Sequence, residues 1–252
     1  MDEHTLDAVA ELVHSARRVA VFTGAGVSAE SGIETFRQPQ TGLWAQFDPM
    51  ELAHVDALRR DPETVTRWYH WRFSKCADAT PNPGHEAITR LQRVKREAGG
   101  DVQVITQNID GLHHQAGAED VIELHGSILR WRCQKTGTMR SIGDVDFSSF
   151  PPMSEAGGLL RPDIVLFGEM LPNDALEAAE RAVMSCDVFL TVGTSAVVYP
   201  AAGYIELAIS RGVPTVEINP DVTPMSGAVT HTLRGASGVV MPALLKQCGL
   251  LD

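Results

Sequence analysis

Four short β-branched runs, each ending in a cluster of glycine or polar residues, constrain this chain more than any other feature. They are residues 18–23 (RVAVFT), 102–106 (VQVIT), 187–192 (DVFLTV) and 213–218 (VPTVEI). Short apolar runs bounded by turn residues are the pattern of parallel strands buried on both faces. Helical spacing lies between them. Leu6, Val9, Leu12, Val13 and Ala16 mark one helix, and Ile88, Leu91 and Val94 another. Residues 175–184 and 201–210 also read as helices, with Pro172 and Pro200 near their starts. Strands alternating with helices predict an α/β fold, a Rossmann-like parallel sheet with helices on both faces. Two stretches break the alternation. Residues 37–80 read as a loop and then a helix started by Asp61 and Pro62, and residues 127–160 have little periodicity. We read 1–36, 81–126 and 161–252 as the large domain, and 37–80 with 127–160 as a smaller lobe made of two insertions.

Composition narrows the function classes. The 252 residues carry 32 acidic and 21 basic side chains, a net charge of −11. A dedicated nucleic-acid binder needs clustered Lys and Arg, so that class is disfavoured. The longest uncharged run, 188–205, is interrupted by Gly193, Pro200 and Gly203, unlike a spanning helix. The start, MDEH, lacks the basic residues of a signal peptide. The four cysteines show no pairing pattern and read as free thiols of a reducing compartment, so a cytoplasmic location is expected.

The strand ends carry the chemistry, because ligands of open parallel sheets bind beyond the carboxyl ends of the strands. The first run leads into Gly24-Ala25-Gly26 and Ser28, the second into Gln107, Asn108 and Asp110, the third into Gly193, Thr194 and Ser195, and the fourth into Asn219. The glycines match a relaxed dinucleotide fingerprint, in which a tight turn and a helix N-terminus receive a pyrophosphate. An ordinary strand-to-helix turn would use the same glycines. No acidic ribose ligand follows about 20 residues later, which counts against simple hydride transfer. Asn108 and Asp110 can hold an amide or ribose hydroxyls, or form a turn that caps the next helix. His125, after the apolar stretch 121–124, has the chemistry of a general base near neutral pH, although a histidine is more often structural.

Together these segments resemble the sirtuins, NAD-dependent protein-lysine deacylases. The matching pieces are 24–33 (GAGVSAESGI), 35–37 (TFR), 106–113 (TQNIDGLH), 124–127 (LHGS), 158–162 (GLLRP), 167–169 (FGE), 193–195 (GTS) and 218–219 (IN), in family order. The resemblance implies that Gly24, Ala25, Gly26 and Ser28 hold the cofactor's phosphates and nearby ribose. It places Phe36 and Arg37 in a mobile cofactor loop, and Asn108 and Asp110 around the nicotinamide amide. Gln107 and His125 would approach the nicotinamide ribose. Gly193, Thr194, Ser195 and Asn219 would meet the phosphate and adenosine end. Residues 165–168, with Val165, Phe167 and Gly168, would pair as a strand with the substrate peptide. Catalysis would rest on His125 with Asn108 and Gln107. His125 would take a proton from the ribose hydroxyls after the acyl oxygen attacks the ribose. The products would be nicotinamide, free lysine and 2′-O-acyl-ADP-ribose.

Two departures sharpen the resemblance. Sirtuins usually carry two Cys-x-x-Cys pairs that close a tetrahedral zinc site. Here the corresponding positions read Cys133-Gln-Lys-Thr136 and Met153-Ser-Glu-Ala156, so one thiol of four remains. No zinc is expected, and packing by Trp131, Phe147, Phe150 and Leu159 would have to replace the metal. The second departure is the acyl pocket. Tyr69 and Arg72 share a helix face, and with Ala53 they are similar to the subclass that removes succinyl and malonyl groups. Acetyl groups would also fit a roomy pocket. Competing readings are a deacetylase without acidic-acyl preference, a mono-ADP-ribosyltransferase using the same cleft, and a non-catalytic NAD-binding regulator. A serine hydrolase lacks its Gly-x-Ser-x-Gly elbow. The expected partners are acylated-lysine proteins, with no nucleic acid and no membrane; the oligomeric state is open.

Overall fold

The computed structural model of the chain describes residues 2–33 and 48–251. In order these form α1 (Glu3–Ser15), β1 (Arg18–Thr23), α2 (Pro49–Leu52), α3 (Val55–Arg60), α4 (Pro62–Ala77), α5 (Pro83–Glu97), β2 (Asp101–Thr106), α6 (Leu112–Gln115), β3 (Ile122–Glu123), β4 (Gly126–Cys133), β5 (Met139–Ser141), β6 (Leu160–Ile164), α7 (Asn173–Ser185), β7 (Val188–Val192), α8 (Gly203–Ser210), β8 (Thr215–Ile218), β9 (His231–Leu233) and α9 (Ser237–Gln247). Among the described residues no helix is long and apolar enough to cross a membrane.

The large sheet has the order β3-β2-β1-β7-β8-β9, and its paired neighbours are parallel. All four sequence-predicted strands lie in it. The fourth is shortened to 215–218, since Pro214 has no amide to give the ladder and only its carbonyl accepts Phe189 N. One face is packed by α1, α5 and α9 through Val9, Val13, Ile88, Leu91, Met241 and Leu244. The other is packed by α7 and α8 through Val183, Tyr204 and Ile205 against Phe22 and Phe189. Strand order reverses between β1 and β7, which opens a crevice beyond their carboxyl ends.

The second sheet, β5-β4-β6, is antiparallel. Residues 127–160 therefore hold regular strands that the sequence pattern does not reveal. β4 shifts register between Ser127 and Trp131, and such an irregularity destroys period-two alternation. β6 belongs with this sheet too, so the small lobe runs past position 160 to Ile164. As expected, α4 starts at Asp61, whose carboxylate accepts Thr64 N, with Pro62 in the first turn.

An aromatic plug joins α4 to this sheet. The Phe147 ring lies 5.0 Å from Trp131, 5.6 Å from Phe150 and 4.1 Å from His70 of α4. The Arg67 guanidinium covers Phe150 at 4.5 Å. Three of the four residues expected to pack the small lobe thus meet at one point. The fourth, Leu159, pairs with Met153 across the adjoining turn.

Candidate active site

The turns after β1 and β7 are built against each other. Gly24 N donates to Val192 O at 3.1 Å, and Gly26 N to Gly193 O at 2.7 Å. A Cβ on Gly26 would lie 2.7 Å from Gly193 O, and one on Gly24 would lie 2.8 Å from Thr194. Gly193 has φ +62, and its Cβ would meet Val27 N at 2.3 Å. These glycines are thus required by the crossing of two turns, whatever else approaches them. The segment after the turn, Ala25–Ser31, is a 3-10 helix and not the α-helix the fingerprint predicts. Two of its first three amides are already spent, Gly26 N on Gly193 O and Val27 N on Gly24 O, so it offers fewer free donors than an α-helix start.

Ser28 also departs from expectation. It is buried, its hydroxyl donates to Asp110 Oδ2 at 2.7 Å, and it accepts from Asn108 Nδ2 at 3.0 Å. His85 Nε2 lies 3.4 Å from the same oxygen. A hydroxyl so committed belongs to the Asn108–Asp110 cluster and not to a phosphate cradle. Asp110 Oδ1 accepts Leu112 N at 2.9 Å, and Thr106 Oγ1 accepts Asn108 N at 3.0 Å. Thr23 Oγ1 donates to Thr106 Oγ1 at 2.8 Å and lies 3.0 Å from His113 Nε2. A hydroxyl has one proton, so His113 donates from Nε2, and its buried Nδ1 has no hydrogen-bond partner. Burial holds His113 down at about 3, keeping it neutral. His85 and His113 are structural parts of this wall, which residue spacing alone does not reveal.

Gln107 and His125 face each other through the backbone. His125 Nδ1 lies 2.8 Å from the carbonyl oxygen of Gln107, which can only accept. The proton therefore sits on Nδ1, and Nε2 keeps its lone pair. Burial pushes the imidazole below its ordinary value, and the bond to Gln107 O opposes this in part. The ring is neutral at pH 7 and able to accept a proton. The expected acid limb of kcat/KM against pH therefore falls below pH 6.5, the ordinary histidine value. A pH–rate profile at saturating cosubstrate checks this; a limb above that value would contradict a buried, neutral base.

Thr194 is the crossing point of three strand ends. Its hydroxyl accepts Gln107 Nε2 at 2.9 Å, and its carbonyl accepts Asn219 Nδ2 at 2.8 Å. Asn219 Oδ1 accepts Asp221 N at 3.1 Å, so both ends of this amide hold the rim in place. Ser195 follows, half-buried, before Ala196 in a left-handed conformation at φ 56. Arg234 was not singled out by sequence. It donates to Glu217 Oε1 at 2.6 Å and to Asp221 O at 2.7 Å, tying β9 to the loop behind Asn219. Phe36 and Arg37 lie outside the described residues.

The small lobe completes the cleft. Phe167 N donates to Ala53 O at 2.8 Å, and Val55 N donates to Phe167 O at 2.9 Å. Val165 N donates to His125 O at 3.0 Å, so the 165–168 segment is anchored to the histidine's own backbone. Gly168 follows at φ +85. Tyr69 is buried with its ring edge-on to Trp68 at 4.6 Å, and the Arg72 guanidinium lies 5.1 Å from the centroid of the Trp68 ring. Burial pushes the Tyr69 phenol far up, while Arg72 and Arg161 act the other way. It stays a neutral donor. Burial and Asp110 push the Cys76 thiol up to about 11, and Arg72 opposes them, so Arg72 and Asp110 act electrostatically on one group.

The expected zinc corner keeps its shape with other chemistry. Cys133 Sγ lies 3.1 Å from Ser154 Oγ, which accepts Gly158 N at 3.1 Å. The Ser154 proton is thus available to the sulfur, and bonds from Ser154 and Thr136 hold the thiol down at about 6. Across the turns Gln134 N donates to Leu159 O, and Ser154 N to Gly158 O. Among the described residues no group of three or more His, Cys, Asp or Glu could hold a metal ion. One thiol, two hydroxyls and a thioether do not fit structural zinc.

The Sir2 family model matches residues 24–200, most of the chain and all of the crevice but Asn219. The chain belongs to the Sir2 family. An NAD-dependent protein deacylase of Mycolicibacterium paratuberculosis (strain ATCC BAA-968 / K-10) is 46% identical over 235 residues, covering 91% of this chain and 97% of its own. A Sir2 homolog solved as an NAD complex superposes with TM-score 0.88 at 42% identity, covering 99% of this chain and 94% of the other. A Sir2 protein bound to an acetylated peptide superposes with TM-score 0.87 at 29% identity, covering 97% and 99%. For this Sir2 chain, the switch-point crevice and its ring of Gln107, Asn108, Asp110 and Ser28 fit a dinucleotide.

Proposed function

We propose that this Sir2 protein is an NAD-dependent protein-lysine deacylase that favours succinyl and malonyl groups and accepts acetyl alongside. The observation that carries the reaction is the His125 geometry, a neutral imidazole with Nδ1 held by Gln107 O and a free lone pair on Nε2. When bound, NAD supplies an electrophilic ribose carbon with nicotinamide as leaving group. Asn108 and Asp110, locked through Ser28, hold the carboxamide and keep water from the buried end of the crevice. Gln107 and His125 stand over the ribose, and His125 Nε2 receives the hydroxyl proton that must leave before the acyl group can transfer. Gly24, Ala25 and Gly26 with Gly193, Thr194 and Ser195 line the phosphates, and Asn219 holds the adenosine rim. Residues 165–168 receive the peptide as an added strand, while Phe167 is already fixed to 53–55.

The acidic-acyl preference rests on Tyr69 and Arg72 with the small Ala53. A guanidinium fork and a neutral phenol donor match a carboxylate, and alanine leaves room for it. Matched succinyl-lysine and acetyl-lysine peptides, incubated with and without NAD and followed by mass spectrometry, test both levels. NAD-dependent loss of succinyl, faster than acetyl, with formation of acyl-ADP-ribose, is expected. Acetyl loss alone removes the preference, and ADP-ribose attached to the peptide or enzyme favours the transferase reading.

The same reading includes a small lobe stabilised without zinc. The plug of Trp131, Phe147 and Phe150 and the Cys133–Ser154 contact take over the role of the metal. Purified protein is expected to contain well under one zinc per chain by elemental analysis. Its melting temperature is expected not to change with chelator. Stoichiometric zinc would overturn this part alone.

A further inference from the structure

Arg161 and Glu169 form the most buried ion pair among the described residues, and neither touches the crevice ring. The Arg161 side chain is 3% exposed and that of Glu169 20%. Arg161 donates to both carboxylate oxygens, at 2.6 and 3.0 Å, and also to Ile164 O at 2.8 Å. Glu169 in turn accepts Leu166 N at 2.9 Å, and Glu169 N donates to Leu166 O at 3.0 Å. The pair therefore grips residues 164, 166 and 169, which flank and interleave the proposed peptide strand. A buried ion pair adds little net stability over apolar residues of the same size, so stability alone does not account for it. Its distinctive property is geometry: two parallel charge-assisted bonds fix the direction of both partners.

We propose that Arg161 and Glu169 are positioning residues that hold 165–168 extended, so that its backbone can pair with the acyl-peptide. This rests on the strand-pairing reading above. The pair acts through backbone at one remove from substrate, with Ile164 and Leu166 as the groups it holds. His125 O fixes Val165, and Ala53 with Val55 fixes Phe167, so the bracket supplies the remaining restraint on this short run.

The test compares wild type, Glu169→Gln and Arg161→Lys using an acyl-lysine peptide and the same peptide N-methylated at its flanking backbone amides. Apparent KM for peptide and for NAD, kcat and melting temperature are measured. Glu169→Gln is expected to raise the peptide KM about tenfold, the size of one charged hydrogen bond, with the NAD KM unchanged. Arg161→Lys keeps the charge but loses the fork, and is expected to raise the peptide KM less. It decides the matter if Glu169→Gln fails to bind NAD. Wild type is expected to discriminate against the N-methylated peptide. If it does but both variants keep the wild-type peptide KM, or raise both KM values together, the bracket has no positioning role. If wild type ignores N-methylation, the strand reading fails and the bracket falls with it.

Discussion

His125→Ala is expected to lower the deacylation kcat by about 10²- to 10⁴-fold, the usual contribution of a positioned general base. The reason is specific to this geometry. Gln107 O takes the Nδ1 proton at 2.8 Å, so Nε2 alone carries a basic lone pair. Thr23, Thr106 and His113 are spent on one another and offer no substitute base. His125→Asn is the sharper control, because an amide can still donate to Gln107 O but cannot take a proton. The backbone contact from Val165 N to His125 O survives either change, so the neighbouring strand is expected to stay in place. Binding of NAD should change little in both variants. Steady-state assay with mass-spectrometric detection, alongside NAD titration, measures the split. Turnover near wild type in His125→Asn would remove His125 from the mechanism.

Arg72→Met is the second large effect. For a succinyl peptide kcat/KM is expected to fall by about 10²- to 10³-fold, since the acyl carboxylate would be buried without its cation. For an acetyl peptide the change should stay within about threefold, because no charge is presented to the pocket. Methionine keeps an apolar stem against Trp68, whose ring lies 5.1 Å from the guanidinium, so packing is largely preserved. Arg72→Lys separates charge from shape. A lysine keeps the charge but cannot form the fork, so succinyl activity should recover only in part. Equal losses for both acyl groups would mean that Arg72 supports the lobe and does not read a carboxylate.

Much of the large sheet was legible because its signals are local. A buried parallel strand announces itself by a short β-branched run, and all four such runs lie in the sheet. The residues just after them are polar or glycine because they line the crevice. The small lobe was not legible in the same way. β4 carries a register shift, β5 has three residues, and their partner β6 is separated from β4 by a long loop. β3 and β9 are too short to show a period, and α9 carries Pro242 in its interior.

The site divides along the same line. Sequence by itself determined the α/β class, the family, the order of the strand-end clusters and the loss of three of the four zinc thiols. These depend on residue identity and short spacing. Tertiary structure alone decided that Ser28 joins Asn108 and Asp110, residues 80 and 82 positions away. It decided that Gly26 is required by Gly193, and that Gln107 O sets the tautomer of His125. It also decided that Phe147 and Phe150 meet His70 and Arg67 of α4. Hydrogen-bond direction and close packing are properties of pairs far apart in the chain. No local pattern encodes them until the two sheets have folded and brought the partners together.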